Sequence, residues 1–257
     1  EGVPAVLAPR LLAAVANSPS LQLSAVCTHF SHGDAPGCPE TRRQFDRFIL
    51  ASAPSTWDGR KPLFHAANTG GIFFSPESHL DMVRPGIGIL GIDPTCRPSV
   101  DRPLRPALRW TAPLLQVRTV RKGEGVGYGA TWRAERDTRI GLVPVGYADG
   151  YLRCFSSRAK MMIRGEAAPV VGRVSMDYTT IDLGGVPQAQ PGDVVTLLDS
   201  DPLSPASVYR LAELAGTIPY EVFCRIGPRT RRVAIEPADQ ESDSWDTPGS
   251  TYRAESA

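Results

Sequence analysis

The sequence predicts an α/β layer followed by a mostly antiparallel β-domain. Three observations carry this. Buried apolar runs alternate with helical spacing from Val3 to Ile92, a proline- and arginine-rich segment then breaks the pattern, and short strands bounded by Gly, Pro and Asp follow it. Strands that alternate with helices belong to a parallel sheet or barrel, because each crossover helix covers a sheet face.

In chain order, "VPAVLAPRLLAAVAN" (3–17) has helical spacing, and "LQLSAVCTHF" (21–30) reads as a buried strand ending at His29. "ETRRQFDRFILASA" (40–53) is an amphipathic helix, "PLFHAANTGG" (62–71) a short buried strand with a glycine-rich exit, "SPESHLD" (75–81) a helical turn and "MVRPGIGILGI" (82–92) a further strand. "PTCRPSVDRPLRP" (94–106) cannot extend a parallel strand and reads as a linker. The domains are therefore expected at 1–102 and 103–235. In the second, "LRWTAPLLQVRTV" (108–120), "TRIGLVPVGYADGY" (138–151), "KMMIRGEAAPVVGRVSMDYTTIDLG" (160–184) and "GDVVTLL" (192–198) supply strands of a small barrel or sandwich. One helix, "SPASVYRLAELAG" (204–216), interrupts them, capped by Ser204 or a neighbour and closed by Gly216. Residues 236–257 are acidic and poor in apolar side chains, the composition of a disordered tail.

The charge balance of 28 basic and 27 acidic residues gives no global electrostatic case for nucleic acid or an anionic membrane. Only Lys61, Lys122 and Lys160 are lysines; arginine supplies the other positive charges. Five scattered cysteines without a Cys-x-x-Cys pair suggest neither a disulfide framework nor a zinc site and fit a reducing cytoplasm. No apolar run approaches the roughly 18 residues that span a bilayer.

Ligands of parallel α/β units collect where strands end. At "HAANTGG", Thr69 offers a hydroxyl, and Gly70 and Gly71 allow close backbone approach, as a phosphate cradle or a plain strand-to-helix turn would need. Arg84 in "RPGIG" stands among apolar residues and needs an acceptor, either a structural carboxylate or a ligand. His29 is a satisfied core histidine, a base or a stacking ring. Its spacing to His32 is superficially metal-like, but nothing completes a cluster, so no metal is predicted. "GEGVGYGATW" (123–132) sets Tyr128 between glycines, which a hairpin turn or a close approach to ligand would explain. A free phenol titrates near pH ~10, so a base at that position needs a tuning partner. Lys122 and Arg139 are candidates by proximity in sequence alone.

Jointly, "THFS", "HAANTGG", "VRPGIGILG", "VGYGATW", "PVGYADGY", "GRVSMDYTTIDL", "PGDVVTLL" and "IPYEVFCRIGPRTRR", in that order, resemble alanine racemase, a pyridoxal 5′-phosphate enzyme. The resemblance covers about residues 1–235 and implies the C-terminal half of a (β/α)8 barrel followed by the β-domain. By resemblance, His29 packs against the pyridine ring, Arg84 donates to its nitrogen, and Asn68, Thr69, Gly86, Ile87 and Tyr220 meet the phosphate. The Met176 amide meets the substrate carboxylate, Tyr147 lines the entrance, and Tyr128 takes the α-proton from L-alanine across a head-to-tail homodimer. The resemblance further implies a cytoplasmic enzyme supplying D-alanine to peptidoglycan. The family's cofactor lysine and carboxylate-binding arginine belong to motifs that do not occur here, so the first half of the barrel is expected to be absent and this chain alone inactive. A non-catalytic relative and a racemase of another amino acid such as serine are the alternatives.

Overall fold

A computed structural model of the chain describes residues 2–52, 61–102 and 104–235, and the expected tail at 236–257 lies outside them. The chain divides into two compact units, Glu1–Leu104 and Arg105–Ala257.

In the first unit a 3-10 turn at Ala5–Leu7 leads into α1 (Ala8–Ala16), with Pro9 in the first turn, where the missing N–H has no intrahelical acceptor to lose. β1 (Ala25–Cys27) and β2 (Leu63–His65) pair in parallel, with Cys27 opposite His65. Between them in sequence lies α2 (Pro39–Ser52), whose Phe45 and Phe48 pack with Phe30 and Ala66. Phe30 meets Phe45 and Phe48 meets Phe64 edge to face, with ring centroids 6.4 Å apart, the geometry aromatic quadrupoles favour. α3 (Thr69–Phe74) follows β2 directly, and its N-cap is Asn68, whose Oδ1 accepts from Gly71 N at 3.0 Å.

Two expectations need correction here. The runs 21–30 and 62–71 give strands of only three residues, and β1 is largely exposed, because among the described residues the pair has no further strand on either edge. The run 82–92 forms no strand. It makes a single parallel bridge, Asn68 with Arg84, and then a 3-10 turn at Ile87–Leu90. Pro85 has no N–H for a ladder, and Gly91 at φ +72° turns the chain out of the 3-10 segment.

The second unit is built from antiparallel sheets. β4 (Gln116–Val120), β7 (Thr138–Val143) and β10 (Thr179–Asp182) form one, in the order β10-β7-β4. β3 (Trp110–Pro113), β8 (Lys160–Ile163), β9 (Glu166–Pro169) and β11 (Val194–Leu198) form the other, in the order β3-β11-β8-β9. A two-stranded ribbon, β5 (Gly125–Val126) with β6 (Trp132–Arg133), sits over Val120, Ala134, Ile140 and Val171. α4 (Val208–Ala215) is capped by Ser207, the neighbour of the expected Ser204, and closed by Gly216 at φ +67°. A helix the sequence reading does not contain, α5 (Pro219–Arg225), starts on a proline already fixed near helical φ and carries an i,i+4 pair, Glu221 with Arg225. Among the described residues no helix is long and apolar enough to cross a membrane.

Candidate active site in two halves

The candidate residues fall into two groups, one in each unit. In the first unit β1 and β2 end side by side, which brings His29, His65 and Arg84 together. The Arg84 guanidinium donates to Thr28 O at 2.7 Å, to Ala66 O at 3.2 Å and to His65 Nδ1, and lies 3.5 Å from His29 Nδ1. These acceptors are all neutral, so among the described residues no carboxylate pairs with the positive charge of Arg84. Burial, reinforced by the Arg84 charge, holds the His65 imidazole below its ordinary pKa. A guanidinium only donates, so the neutral ring accepts at Nδ1 and keeps its proton on Nε2. Sequence reading passed over His65, although the parallel register placing it opposite Cys27 puts it level with the strand end that carries His29.

Thr69 Oγ1 accepts from Gly86 N at 3.0 Å and Gly88 N at 3.3 Å, knitting the two glycine-rich exits together. The Ile87 amide has no hydrogen-bond partner among the described residues. Asn68 is engaged as a helix cap, and a Cβ on Gly33 would meet its side chain at 2.4 Å. A neutral imidazole behind an uncompensated guanidinium, beside a free amide and glycine backbone, is a donor set that fits a heteroaromatic phosphate ester. A cavity of about 270 Å³ in the same unit, lined by His32, Cys38, Arg42 and Glu77 among others, takes in Gly70 and Gly71 of the expected cradle but not His29, Asn68, Thr69, Arg84, Gly86 or Ile87.

In the second unit, "GEGVGYGATW" is a hairpin. Gly125 pairs with Arg133 and Val126 with Trp132, and the loop between them holds Tyr128 at its tip, 71% exposed. Gly127 and Gly129, at φ +74° and +71°, flank the tyrosine, so the hairpin-turn reading of this stretch holds and the turn leaves the phenol in solvent. The neighbouring loop abuts it closely: a Cβ on Gly172 would lie 2.6 Å from Val126 O, and one on Gly129 3.5 Å from the Arg173 guanidinium. Arg173 is thus a cation beside the tyrosine loop, as is Arg133, which donates to Gly123 O at 2.9 Å. Arg139 instead donates to Pro187 O and Ala189 O.

That same loop carries Met176, 54% exposed, whose N–H has no partner among the described residues. Its carbonyl accepts from Ala148 N at 3.0 Å, while Ser175 O accepts from Tyr147 N at 3.0 Å. Tyr128, Tyr147 and Met176 therefore sit on three interlocked loops. Tyr220 is on α5, in the second unit.

The profile described as "Alanine racemase, N-terminal domain" matches residues 1–94, and that described as "Alanine racemase, C-terminal domain" matches residues 107–234. The chain belongs to the alanine racemase family. An alanine racemase of Desulfovibrio desulfuricans is 40% identical over 223 residues, which are 86% of this chain and 59% of that protein. The crystal structure of alanine racemase from D-cycloserine-producing Streptomyces lavendulae is 34% identical, with a TM-score of 0.82 over 94% of this chain and 65% of that one. A Bartonella henselae alanine racemase solved with covalently bound pyridoxal phosphate is 26% identical with a TM-score of 0.73, over 88% of this chain and 62% of its own. The chain thus spans about three fifths of the length of these racemases, and its units correspond to part of the barrel domain and to the β-domain of the family.

Proposed function

We propose that the protein works as an alanine racemase, interconverting L- and D-alanine with pyridoxal 5′-phosphate. The single observation that carries this is the hairpin that holds Tyr128 out on a glycine-flanked tip beside the loop with the free Met176 amide. When bound, the cofactor would supply a conjugated electron sink for the pair left on the α-carbon.

The chain's own residues would then act as follows. Arg84 would hold the ring nitrogen as a donor and, since a guanidinium does not readily release a proton, would not protonate it, which would moderate the sink and disfavour side reactions. His65 accepts from Arg84 and fixes its plane, and His29 stacks on the ring. Thr69, Gly86 and Ile87 with Tyr220 hold the phosphate, and Asn68 shapes that corner as the cap of α3. The Met176 N–H receives the substrate carboxylate, Tyr147 borders the entrance, and the Tyr128 phenolic oxygen takes or returns the α-proton on one face. Racemisation needs a second group on the opposite face. In the family it is a lysine, and neither Lys61, Lys122 nor Lys160 lies in the motif that carries it.

Tyr128 serves the site of a second copy in a head-to-tail homodimer. Support comes from the exposure of Tyr128, Tyr147, Met176 and Tyr178, an aromatic-rich surface of the kind that interfaces cover. A cytoplasmic setting fits the five free cysteines.

Tyr128→Phe, made in protein expressed from the whole reading frame and assayed with pyridoxal phosphate, tests the reading. Proton removal from L-alanine should fall by about 10²-fold or more, and more than removal from D-alanine. Equal loss in both directions would refute a one-face role.

A further inference from the structure

We propose that Arg229 is a positioning residue: by bridging Asp149 and Asp177 it sets the direction of the Met176 amide, and with it how the substrate's carboxylate is held. This rests on the reading of Met176 given above.

The bridge closes a ring of bonds around the Met176 peptide. Arg229 Nη2 lies 2.8 Å from Asp149 Oδ1 and 2.9 Å from Asp177 Oδ1. Asp177 directly follows Met176. The other oxygen of Asp149 accepts from Gly146 N at 2.9 Å, which anchors the turn carrying Tyr147 and Ala148. The amides of those two residues hold Ser175 O and Met176 O. Gly146 is the point of closest approach, where a Cβ would sit 2.3 Å from both carbonyl oxygens. Finally, Gly227 N donates to Asp149 O at 2.8 Å, tying the segment that carries Arg229 to the same turn. Both carbonyls flanking the Met176 amide are thus engaged, and its N–H has no partner among the described residues.

Stability does not account for the outer half of this bridge, Arg229 with Asp177. The Arg229 side chain is 53% exposed and that of Asp177 is 47% exposed, so the outer pair is screened by water and adds little to folding. Geometry does account for it. Two carboxylates face each other across one nitrogen, and without the guanidinium their repulsion drives Asp177, and the peptide before it, away from Asp149. The Asp177 hydrogen bond is also the first reason that the Arg229 guanidinium holds its proton more tightly than usual.

The test pairs Arg229→Gln with Arg229→Lys and reads two things. In ¹⁵N NMR spectra of the chain alone, the Met176 amide resonance should move, and exchange of the Tyr147 and Ala148 amides that hold Ser175 O and Met176 O should quicken by about tenfold in the Gln variant, with β7 and β11 protection unchanged and partial recovery in the Lys variant. In the whole-frame enzyme, KM for alanine should rise by about tenfold in the Gln variant with kcat changed much less, the pattern of lost uniform binding. An unmoved Met176 amide overturns the proposal whatever the kinetics. So does a loss of β7 and β11 protection in both variants, which would make Arg229 merely structural. A moved amide with unchanged KM overturns the link to substrate, leaving the racemase reading to the Tyr128 experiment.

Discussion

At Gly172 the backbone stands at φ +74° and a Cβ would lie 2.6 Å from Val126 O, so a side chain there meets both torsional strain and a collision. Tyr128, on the loop that Gly172 supports, projects into solvent and is needed by nothing around it. The two residues should therefore separate cleanly in denaturant melts. Gly172→Ala should lower stability by about 1–3 kcal/mol, whereas Tyr128→Phe should stay within about 0.5 kcal/mol of the parent. The pattern Gly-Tyr-Gly was legible in the sequence, but Gly172 was not. Its necessity comes from Val126, 46 residues away, and no local pattern announces such a contact.

Among the elements, those fixed by local chemistry were readable, and those fixed by tertiary pairing were not. The helix 204–216 ended at Gly216 as expected, because a left-handed cap calls for glycine; its start moved only from Ser204 to Ser207. The barrel-side strands shrank because an apolar run states that burial is needed, not that a neighbour is present to supply it. The hairpin β8–β9 shows both kinds of information. Arg164 and Gly165, at φ +51° and +77°, form its two-residue turn. Nothing local showed that Arg164 would reach across to Asp193, which it holds through two bonds of 2.7 Å. The Arg164 hydrogen bonds, opposed by partial burial and aided by the Gln190 amide, keep the Asp193 carboxyl below the usual carboxylate range. A carboxyl whose folded pKa is depressed stabilises above the unfolded-chain pKa of about 3.9 and loses that contribution as pH falls through its folded value. Asp193→Asn should thus cost about 1–3 kcal/mol at pH 7, and its melting temperature should converge on the parent's in acid below pH ~4.

For the whole molecule, the two units differ in how much they bury. α1 has no buried residue and β1 is exposed on alternate positions, whereas β7 and β11 lie in the core of the second unit. Hydrogen exchange should follow that division: amides of residues 8–27 should exchange by about 10²-fold or more faster than those of β7 and β11. Comparable protection throughout would mean that something covers the first unit in solution. The open edge of β1 has a practical side as well. From Asn17 to Thr28 there is no charged residue, so the strand lacks the charges that usually discourage two edges from joining. A net charge of +1 supplies almost no long-range repulsion between copies. Colloidal behaviour, rather than folding, then sets the concentration at which a solution of this chain stays clear.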